Sequence, residues 1–250
     1  MSKLKTVFAC VPVTWDYVPL PFLVSWCGMQ RFGRDMYDMV FATFRSCYYP
    51  RMRDKLAQAA REDKPDYILW LDVDQTYPAN TVKTLIDHVD SGKLVVGGVT
   101  PFRDDGSPMV WQFYTGEAVG RMGRRRIELN SGTIKVDCIG SGGTMTHPEV
   151  FETLDPPYFD GEWNSKYKER SGEDVGFYLK CRDAGIDVWC DTGLQYEHLV
   201  LQGIGHQANS GATTLTERAD YEKCLDRAMR DMRLLSNKRV DEYISAEMRK

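Results

Sequence analysis

The sequence lacks the features that mark membrane proteins, secreted proteins and strongly charged binding proteins. Its 250 residues contain no apolar run long enough to cross a bilayer. The first residues lead into a short apolar run with two prolines, whereas a signal peptide ends its apolar segment at a cleavage site of small residues. The net charge of -4 gives no general attraction to nucleic acid or to anionic lipid. We therefore expect no membrane partner.

A disulfide framework is also lacking. The seven cysteines are odd in number and scattered, and no two of them form a Cys-x-x-Cys pair. This pattern favours free thiols in a reducing compartment, and hence a cytoplasmic location. Apolar residues make up 42% and charged residues 27% of the chain, which shows no repeats or low-complexity tracts. We therefore expect a globular protein with a sizeable core.

The rest of the chain is organised around residues 67–76, which read Tyr-Ile-Leu-Trp-Leu-Asp-Val-Asp-Gln-Thr. The apolar start of this stretch predicts a strand buried on both faces. Since side chains alternate along a strand, Asp72 and Asp74 are expected to point the same way at its carboxyl end. Two buried carboxylates repel each other and lose hydration. A divalent cation such as Mn²⁺ or Mg²⁺ would offset both costs.

The same triplet has a simpler interpretation. Asp-x-Asp sequences are common, and Asp74 or Thr76 is also placed to cap the helix that Pro78 opens. The metal interpretation further requires that both aspartates be free of neighbouring lysine or arginine, because such a partner would already neutralise them.

Apolar strand patterns and helical patterns alternate along the first part of the chain. The order β-α-β-α-β-α-β over residues 5–99 predicts an α/β fold with right-handed crossovers and a mostly parallel central sheet flanked by helices. Strand-like runs at 109–114 and 133–137 then predict a smaller antiparallel region. We expect one domain over residues 1–205. A mobile loop and a C-terminal helix over residues 206–250 would pack on this domain or on a second copy, as a homodimer.

A glycine-rich stretch at 139–145 and an isolated tryptophan are candidate ligand contacts. Glycine lets the backbone pass where a side chain would block a ligand, which makes Gly142 and Gly143 candidates. A bulge or turn before the helix predicted at 147–154 is the alternative. No Gly-Lys-Ser or Gly-Lys-Thr follows, so this is not a phosphate-binding loop. Trp163 lies between turn-forming residues, where its ring is either a sugar platform or part of the core.

Two acidic residues, Glu173 and Asp174, open a predicted helix. A carboxylate placed there can take a proton as a general base. Ser171-x-x-Asp174 also fits a capping box, which would occupy Asp174 structurally. His198 follows a short strand pattern and is either a metal ligand or an ordinary surface or core residue.

The order of these motifs is similar to that of glycosyltransferases with the GT-A fold, near the family-2-like group. The resemblance spans roughly residues 7–198 and rests on four short motifs: Asp72-Val-Asp74, the glycines at 140–143, Ser171-Gly-Glu-Asp174 and His198. It implies a Rossmann-like GT-A domain that moves one sugar from a nucleoside-diphosphate sugar to an acceptor hydroxyl.

The resemblance also implies a role for each matching residue around the reacting groups. Asp74 would ligate Mn²⁺ or Mg²⁺, which in turn holds the donor diphosphate. Asp72 would reach the ribose, or the metal through water, and His198 would be a further metal ligand or diphosphate contact. Asp174, or less favourably Glu173, would be the catalytic base.

Further residues are assigned to the two substrates in the same way. On the donor side, Pro12 and Thr14 would lie against the nucleoside, and Arg53 would face the nucleotide of a UDP- or GDP-sugar. The acceptor side matches no subgroup of these enzymes. There the backbone space at Gly142 and Gly143 and the ring of Trp163 are our candidate acceptor contacts.

Elementary chemistry supports these roles. Negative charge develops on the diphosphate as the sugar departs, and a divalent cation stabilises that charge. The acceptor hydroxyl is a poor nucleophile until a carboxylate takes its proton, so we expect direct displacement with inversion at the anomeric carbon. Mixed oxygen and imidazole ligation suits Mn²⁺ somewhat better than Mg²⁺.

Other functions stay open. A DNA glycosyltransferase acting on a hydroxymethylated base would place the arginines at 124–126 on phosphates and stack the flipped base on Trp163. A nucleotidyltransferase also uses paired carboxylates and a metal, but it needs a glycine-rich loop with lysine or arginine after the first strand, and residues 12–19 have neither. A non-catalytic sugar-nucleotide-binding module predicts that function survives the loss of Asp74.

Overall fold

A mixed sheet of seven strands lies at the centre of the protein. The computed structural model describes residues 4–14, 17–46, 48–113, 122–161, 163–164, 169–170 and 172–199. The strands in these ranges are β1 (Lys5–Val13), β2 (Tyr37–Arg45), β3 (Tyr67–Trp70), β4 (Gln75–Thr76), β5 (Val95–Val99), β6 (Val110–Phe113), β7 (Met122–Arg124), β8 (Thr133–Val136), β9 (Cys138–Ile139), β10 (Thr144–Thr146), β11 (Trp163–Asn164), β12 (Glu169–Arg170), β13 (Val188–Gln195) and β14 (Glu197–His198). The helices are α1 (Leu20–Gly33), α2 (Tyr49–Asp63), α3 (Thr81–Asp90), α4 (Glu149–Thr153) and α5 (Glu173–Asp183).

The central sheet has the strand order β2-β1-β3-β10-β5-β13-β8. Strand β1 runs parallel to β2 and β3, and β13 runs parallel to β5. Strands β10 and β8 run antiparallel to their neighbours. The predicted fold class, a mostly parallel sheet flanked by helices, is confirmed.

The inner strands β1, β3, β5 and β10 are buried on both faces, as the apolar strand patterns predict. Along β1, Val7 and Ala9 belong to one hydrophobic cluster, whereas Phe8 and Cys10 belong to the other. This alternation is the two-residue period of a strand, with an apolar layer on each side. All four residues of β3 are buried.

Helix α2 illustrates how local sequence sets an element's limits. It begins at Tyr49 with Pro50 in its first turn, where a missing N–H costs nothing. It ends at Asp63, and the next residue, Lys64, adopts a left-handed conformation (φ 53°) and donates its amide to the carbonyl oxygen of Ala60. Its buried positions include Met52, which places one face of the helix against the sheet.

Antiparallel pairing adds three smaller sheets. Strands β7, β6 and β9 form a smaller antiparallel sheet, β11 pairs with β12, and β14 pairs with β4. Of the two runs predicted for the antiparallel region, 109–114 supplies β6, but 133–137 supplies β8, which pairs with β13 in the central sheet. Within the described ranges, we found no helix with the length and apolar character needed to cross a membrane. The boundary predicted at residue 205 and the loop, helix and homodimer contact predicted for residues 206–250 lie outside the described residues.

Strand β10 was not predicted, and the glycines before it explain how it fits. It inserts between β3 and β5 in the opposite direction. Gly143 has a φ of +76°, and an added Cβ would lie 2.0 Å from the ring of Tyr196. The entry to β10 therefore requires glycine for its backbone conformation and for its close packing.

We expect Gly143→Ala to destabilise the protein by at least about 2 kcal/mol, because a left-handed conformation and overpacking add their costs. Gly106→Ala is the matched control. Gly106 also has a positive φ, +67°, but nothing lies within 4 Å of its added Cβ. This control is expected to lose only about 1 kcal/mol. Urea denaturation measures both values, and equal losses would show that crowding by Tyr196 is unimportant.

Candidate functional site

The two central aspartates lie in a turn just beyond the carboxyl end of β3. The strand ends at Trp70, and the amide of Gln75 donates to the carbonyl oxygen of Asp72 at 3.3 Å. The prediction that Asp72 and Asp74 share one face of a strand is therefore wrong, because alternation stops where the strand stops. The carboxylates are still neighbours. Burial raises the pKa of Asp72, and the charge of Asp74 adds to this effect.

A buried arginine binds Asp72. Arg53 Nη2 donates to Asp72 Oδ1 at 2.8 Å, and Arg53 Nε lies 3.5 Å from Glu173 Oε1. Arg53 is only 2% exposed, and its guanidinium carbon lies 5.9 Å and 5.8 Å from the ring centres of Trp70 and Phe159. Burial alone would lower the pKa of Arg53, but the neighbouring carboxylates outweigh it and raise that pKa.

This placement corrects the role predicted for Arg53. A side chain that is almost fully buried does not face an open nucleotide site. It lies against Asp72 and Glu173 and neutralises their charge, which would otherwise be costly to bury. Arg53 is therefore a counter-ion inside the site.

Helix α5 presents two acidic side chains, Glu173 and Asp174, beside this counter-ion. Asp174 Oδ1 accepts a hydrogen bond from the amide of Val175 at 2.8 Å. Burial, followed by the charge of Glu173, raises the pKa of Asp174 to about 6. Asp174 is thus a carboxylate that titrates close to neutral pH. The alternative capping box depends on Ser171, which lies outside the described residues.

Strand pairing brings His198 to Asp74. Strand β14 runs antiparallel to β4, which follows the aspartate turn directly, and His198 lies opposite Gln75. The amide of Leu199 donates to the carbonyl oxygen of Asp74 at 2.7 Å. His198 Nδ1 lies 2.9 Å from the carbonyl oxygen of Pro101, which can only accept, so Nδ1 carries the proton. His198 Nε2 lies 3.7 Å from Asp74 Oδ1.

The guanidinium of Arg103 contacts both Asp74 and His198. We call these two residues the cation pair, because together they bind one cationic group. Arg103 Nη2 donates to Asp74 Oδ2, and Arg103 Nε donates to His198 Nε2 at 3.0 Å. Burial alone would raise the pKa of Asp74, but His198 and Arg103 together lower it. Asp74 is therefore held in its ionised form.

These ion pairs bear directly on the predicted metal site. Asp72 is bound by Arg53 and Asp74 by Arg103, so the requirement that both aspartates be free of lysine and arginine is not met. In the part of the chain that the structure describes, no three His, Cys, Asp or Glu side chains form a metal-binding group.

The cation pair alone still fits a divalent ion. Its oxygen and nitrogen lone pairs already converge on one positive group, and this mixed donor set suits Mn²⁺. Mg²⁺-type sites commonly use one or two protein ligands and complete the shell with substrate phosphates and water. The metal site stays a prediction, and Asp74 and His198 are the two residues that would hold the ion.

Gly142 and Gly143 lie beside the aspartate turn, where both are buried. A Cβ on Gly142 would lie 2.7 Å from Asp72 Oδ2 and 2.5 Å from Gln75 Nε2. The hydroxyl of Tyr196 donates to the carbonyl oxygen of Gly143 at 2.7 Å. The space beside both glycines is filled by protein side chains, and the acceptor role of the two residues stays a prediction.

Two predicted donor residues, Pro12 and Thr14, lie at the carboxyl end of β1. Pro12 is inside β1, which continues one residue beyond it, and Thr14 follows the strand. Burial, and then the charges of the two aspartates, raise the pKa of Tyr49, whereas a hydrogen bond with Thr14 lowers it. Thr14 and Tyr49 are therefore close to each other and to the aspartate turn.

Sequence reasoning missed Tyr49 and Arg103 as site residues. Tyr49 begins the helix after β2, and Arg103 follows β5. The carboxyl ends of parallel strands meet at one edge of a sheet, where ligands bind. Residues that follow β2 and β5 were candidates on this ground alone, but neither residue belongs to a recognisable motif.

The remaining predicted contacts are only partly described. The backbone of Trp163 forms β11, and its side chain lies outside the described part, so its role stays a prediction. In the basic cluster, Arg124 forms an ion pair with Asp105. Arg125 Nη1 donates to the carbonyl oxygen of Lys135 at 2.6 Å. Both arginines thus have partners within the domain, which gives no support to a nucleic-acid contact.

Comparison with known proteins bears on the fold. No protein-family model matches the sequence, and no curated protein matches it. Among solved structures, the chain is similar to A197 from STIV, with a TM-score of 0.56 and 18% sequence identity. The match covers 84% of this chain and 100% of that chain. At this identity the likeness shows the fold, which is GT-A-like, without singling out the family-2-like group.

Proposed function

We propose that the chain is a glycosyltransferase that moves one sugar from a nucleoside-diphosphate sugar to an acceptor hydroxyl. One observation carries the proposal. On a GT-A-like fold, the site contains the cation pair, Asp74 and His198, and also Asp174, a carboxylate whose pKa is raised to about 6. Direct sugar transfer needs a cation for the departing diphosphate and a base for the acceptor hydroxyl, and these residues would supply both.

The cation pair would hold Mn²⁺ or Mg²⁺. When bound, this ion supplies positive charge to the diphosphate as it departs. His198 is fixed for this role by its hydrogen bond to the carbonyl oxygen of Pro101, which leaves Nε2 facing Asp74. A backbone acceptor on the second ring nitrogen is the usual support of a metal-binding histidine.

Asp174 would act as the base. Its carboxylate takes the proton of the acceptor hydroxyl as that oxygen attacks the anomeric carbon, and the bond to the diphosphate breaks. This single displacement inverts the anomeric centre. A pKa of about 6 leaves most of Asp174 ionised at neutral pH while keeping it basic enough to accept a proton.

Arg53 and Asp72 would position the two halves of the site. Arg53 bonds Asp72 on the donor side and lies near Glu173 beside the base. The pair therefore ties the aspartate turn to the start of α5. Thr14 and Tyr49 lie next to the aspartates and would contact the nucleoside of a UDP- or GDP-sugar.

The first prediction from the proposed function concerns the donor. Wild-type protein is expected to hydrolyse at least one member of a UDP- and GDP-sugar panel slowly in Mn²⁺, and EDTA is expected to stop it. Asp74→Asn should lower this rate at least about a hundredfold, since it removes charge from the cation pair. Asp87→Asn is the control, because Asp87 lies on α3 and pairs with Lys83. Unchanged hydrolysis in Asp74→Asn would refute the proposal.

The second prediction concerns the base. Transfer by wild-type protein should rise with pH and level off above an apparent pKa of about 6, because Asp174 must lose its proton first. Asp174→Asn should lose transfer at least about a hundredfold while donor binding stays measurable. Glu173→Gln tests the neighbouring carboxylate in the same way. Loss of transfer in Glu173→Gln alone would assign the base to Glu173.

The third prediction uses stability instead of activity. The pKa of Asp174 is raised from 3.8 to about 6 on folding, so its ionisation destabilises the folded state as pH rises from about 4 to 6. Asp174→Asn removes this cost and can still accept the bond from Val175. The melting temperature of Asp174→Asn should match that of wild type near pH 4 and exceed it above pH 6. The corresponding gain in the free energy of unfolding should be at most about 3 kcal/mol. A difference that does not change with pH would contradict the raised pKa.

A further inference from the structure

A well-bonded turn at 102–107 carries Arg103. The amide of Phe102 donates to the carbonyl oxygen of Ser107 at 2.8 Å, and the amide of Gly106 donates back to Phe102 at 3.1 Å. The carboxylate of Asp105 accepts bonds from the amide and hydroxyl of Ser107 at 2.9 Å and 2.6 Å. The backbone beneath Arg103 is therefore fixed, and only its side chain needs to move to change its contacts.

The guanidinium of Arg103 satisfies both members of the cation pair at once. Nη2 donates to Asp74 Oδ2, and Nε donates to the Nε2 lone pair of His198. Because Nδ1 of His198 carries its proton, a divalent ion would need the Nε2 lone pair, which Arg103 occupies. Asp74 keeps Oδ1, which lies 3.7 Å from His198 Nε2. A metal ion therefore cannot bind both Asp74 and His198 while Arg103 remains in place.

We propose that Arg103 is an internal competitor for the divalent cation. It lies on the cation pair in the metal-free protein and leaves when Mn²⁺ or Mg²⁺ binds. The inference rests on the proposed function for the assignment of Asp74 and His198 as metal ligands. It adds a residue that sets how tightly the metal is held.

Exposure shows which partner can leave. The side chain of Arg103 is 56% exposed, whereas that of Asp74 is 9% exposed. Arg103 returns to water at little cost, but a buried Asp74 without a cation is unfavourable. The exchange therefore occurs only when another cation arrives. Arg53 offers the contrast, because its side chain is 3% exposed and has no such route to water.

The competition has a consequence for substrate binding. A free metal ion must displace an existing ion pair, so it binds weakly by itself. A metal already bound to a nucleoside diphosphate brings extra ligands. It also brings the negative charge of the diphosphate, to which the released Arg103 can bind. The structure therefore favours entry of the metal together with the diphosphate.

The test is a titration of the full chain with Mn²⁺ alone, following free Mn²⁺ by electron paramagnetic resonance. Arg103→Gln is expected to bind Mn²⁺ at least about tenfold more tightly than wild type, which is about 1.4 kcal/mol. Arg103→Lys should fall between them. Lysine keeps the charge, but its ammonium is a point charge without the planar fork that contacts both Asp74 and His198.

Two controls separate this contact from general effects. Arg124→Gln removes a positive charge that is bonded to the same turn through Asp105, and it should bind Mn²⁺ like wild type. Adding Asp74→Asn to Arg103→Gln should abolish the gain, because the gain arises at the cation pair. Melting temperatures confirm that each variant is folded.

An Arg103→Gln affinity equal to or below that of wild type would overturn the inference, as would an equal gain in Arg124→Gln or no Mn²⁺ binding by any variant. The sugar-nucleotide hydrolysis assay separates this failure from failure of the proposed function. A gain in Mn²⁺ affinity without hydrolysis would support the role of Arg103 and refute the proposed glycosyltransferase function. Hydrolysis without a gain in Mn²⁺ affinity would support the proposed function and refute the role of Arg103.

Discussion

The buried positive charge of Arg53 is the interaction on which the rest of the site depends. It joins α2, which carries it, to the turn after β3 through Asp72 and to the start of α5 through Glu173. Removing one partner of a buried ion pair typically costs about 3–5 kcal/mol, because the other charge is left unpaired. These ion pairs therefore fix the three segments relative to one another. The orientation of the aspartate turn depends on Arg53, which lies on α2.

The two aspartates differ because each one is paired with a different arginine. Arg53 is buried against aromatic rings and keeps Asp72 in a permanent ion pair. Arg103 is exposed and lies on Asp74 and His198, where it can be exchanged. The Asp-x-Asp sequence thus contains one structural carboxylate and one exchangeable carboxylate. Their difference comes from the exposure of the arginine that each one contacts.

The sequence predicted the features that depend on local patterns. The alternation along β1 and the helical face of α2 follow from neighbouring residues, and both are present. The contacts that define the site are not local. Asp72 and Arg53 are 19 residues apart, Asp74 and Arg103 are 29 apart, and Arg103 and His198 are 95 apart. No periodicity connects such residues.

The glycines show a related limit of sequence reasoning. Their abundance near residue 140 correctly indicated a backbone constraint. The side chains that fill the space beside Gly142 and Gly143 belong to Gln75 and Tyr196, which lie far away in the sequence. The insertion of β10, only three residues long, between two parallel strands was hidden for the same reason. The three-dimensional partner decides whether a glycine faces a ligand or a neighbouring side chain.

Carboxylates outnumber guanidinium groups in the site. Four carboxylates (Asp72, Asp74, Glu173 and Asp174) share two guanidinium groups, so two negative charges remain unmatched when all four are ionised. Part of this excess appears at Asp174, whose pKa is raised by burial and then by Glu173. The same excess repels a diphosphate that arrives without a metal. In the proposed function, a divalent cation at Asp74 would reduce this excess.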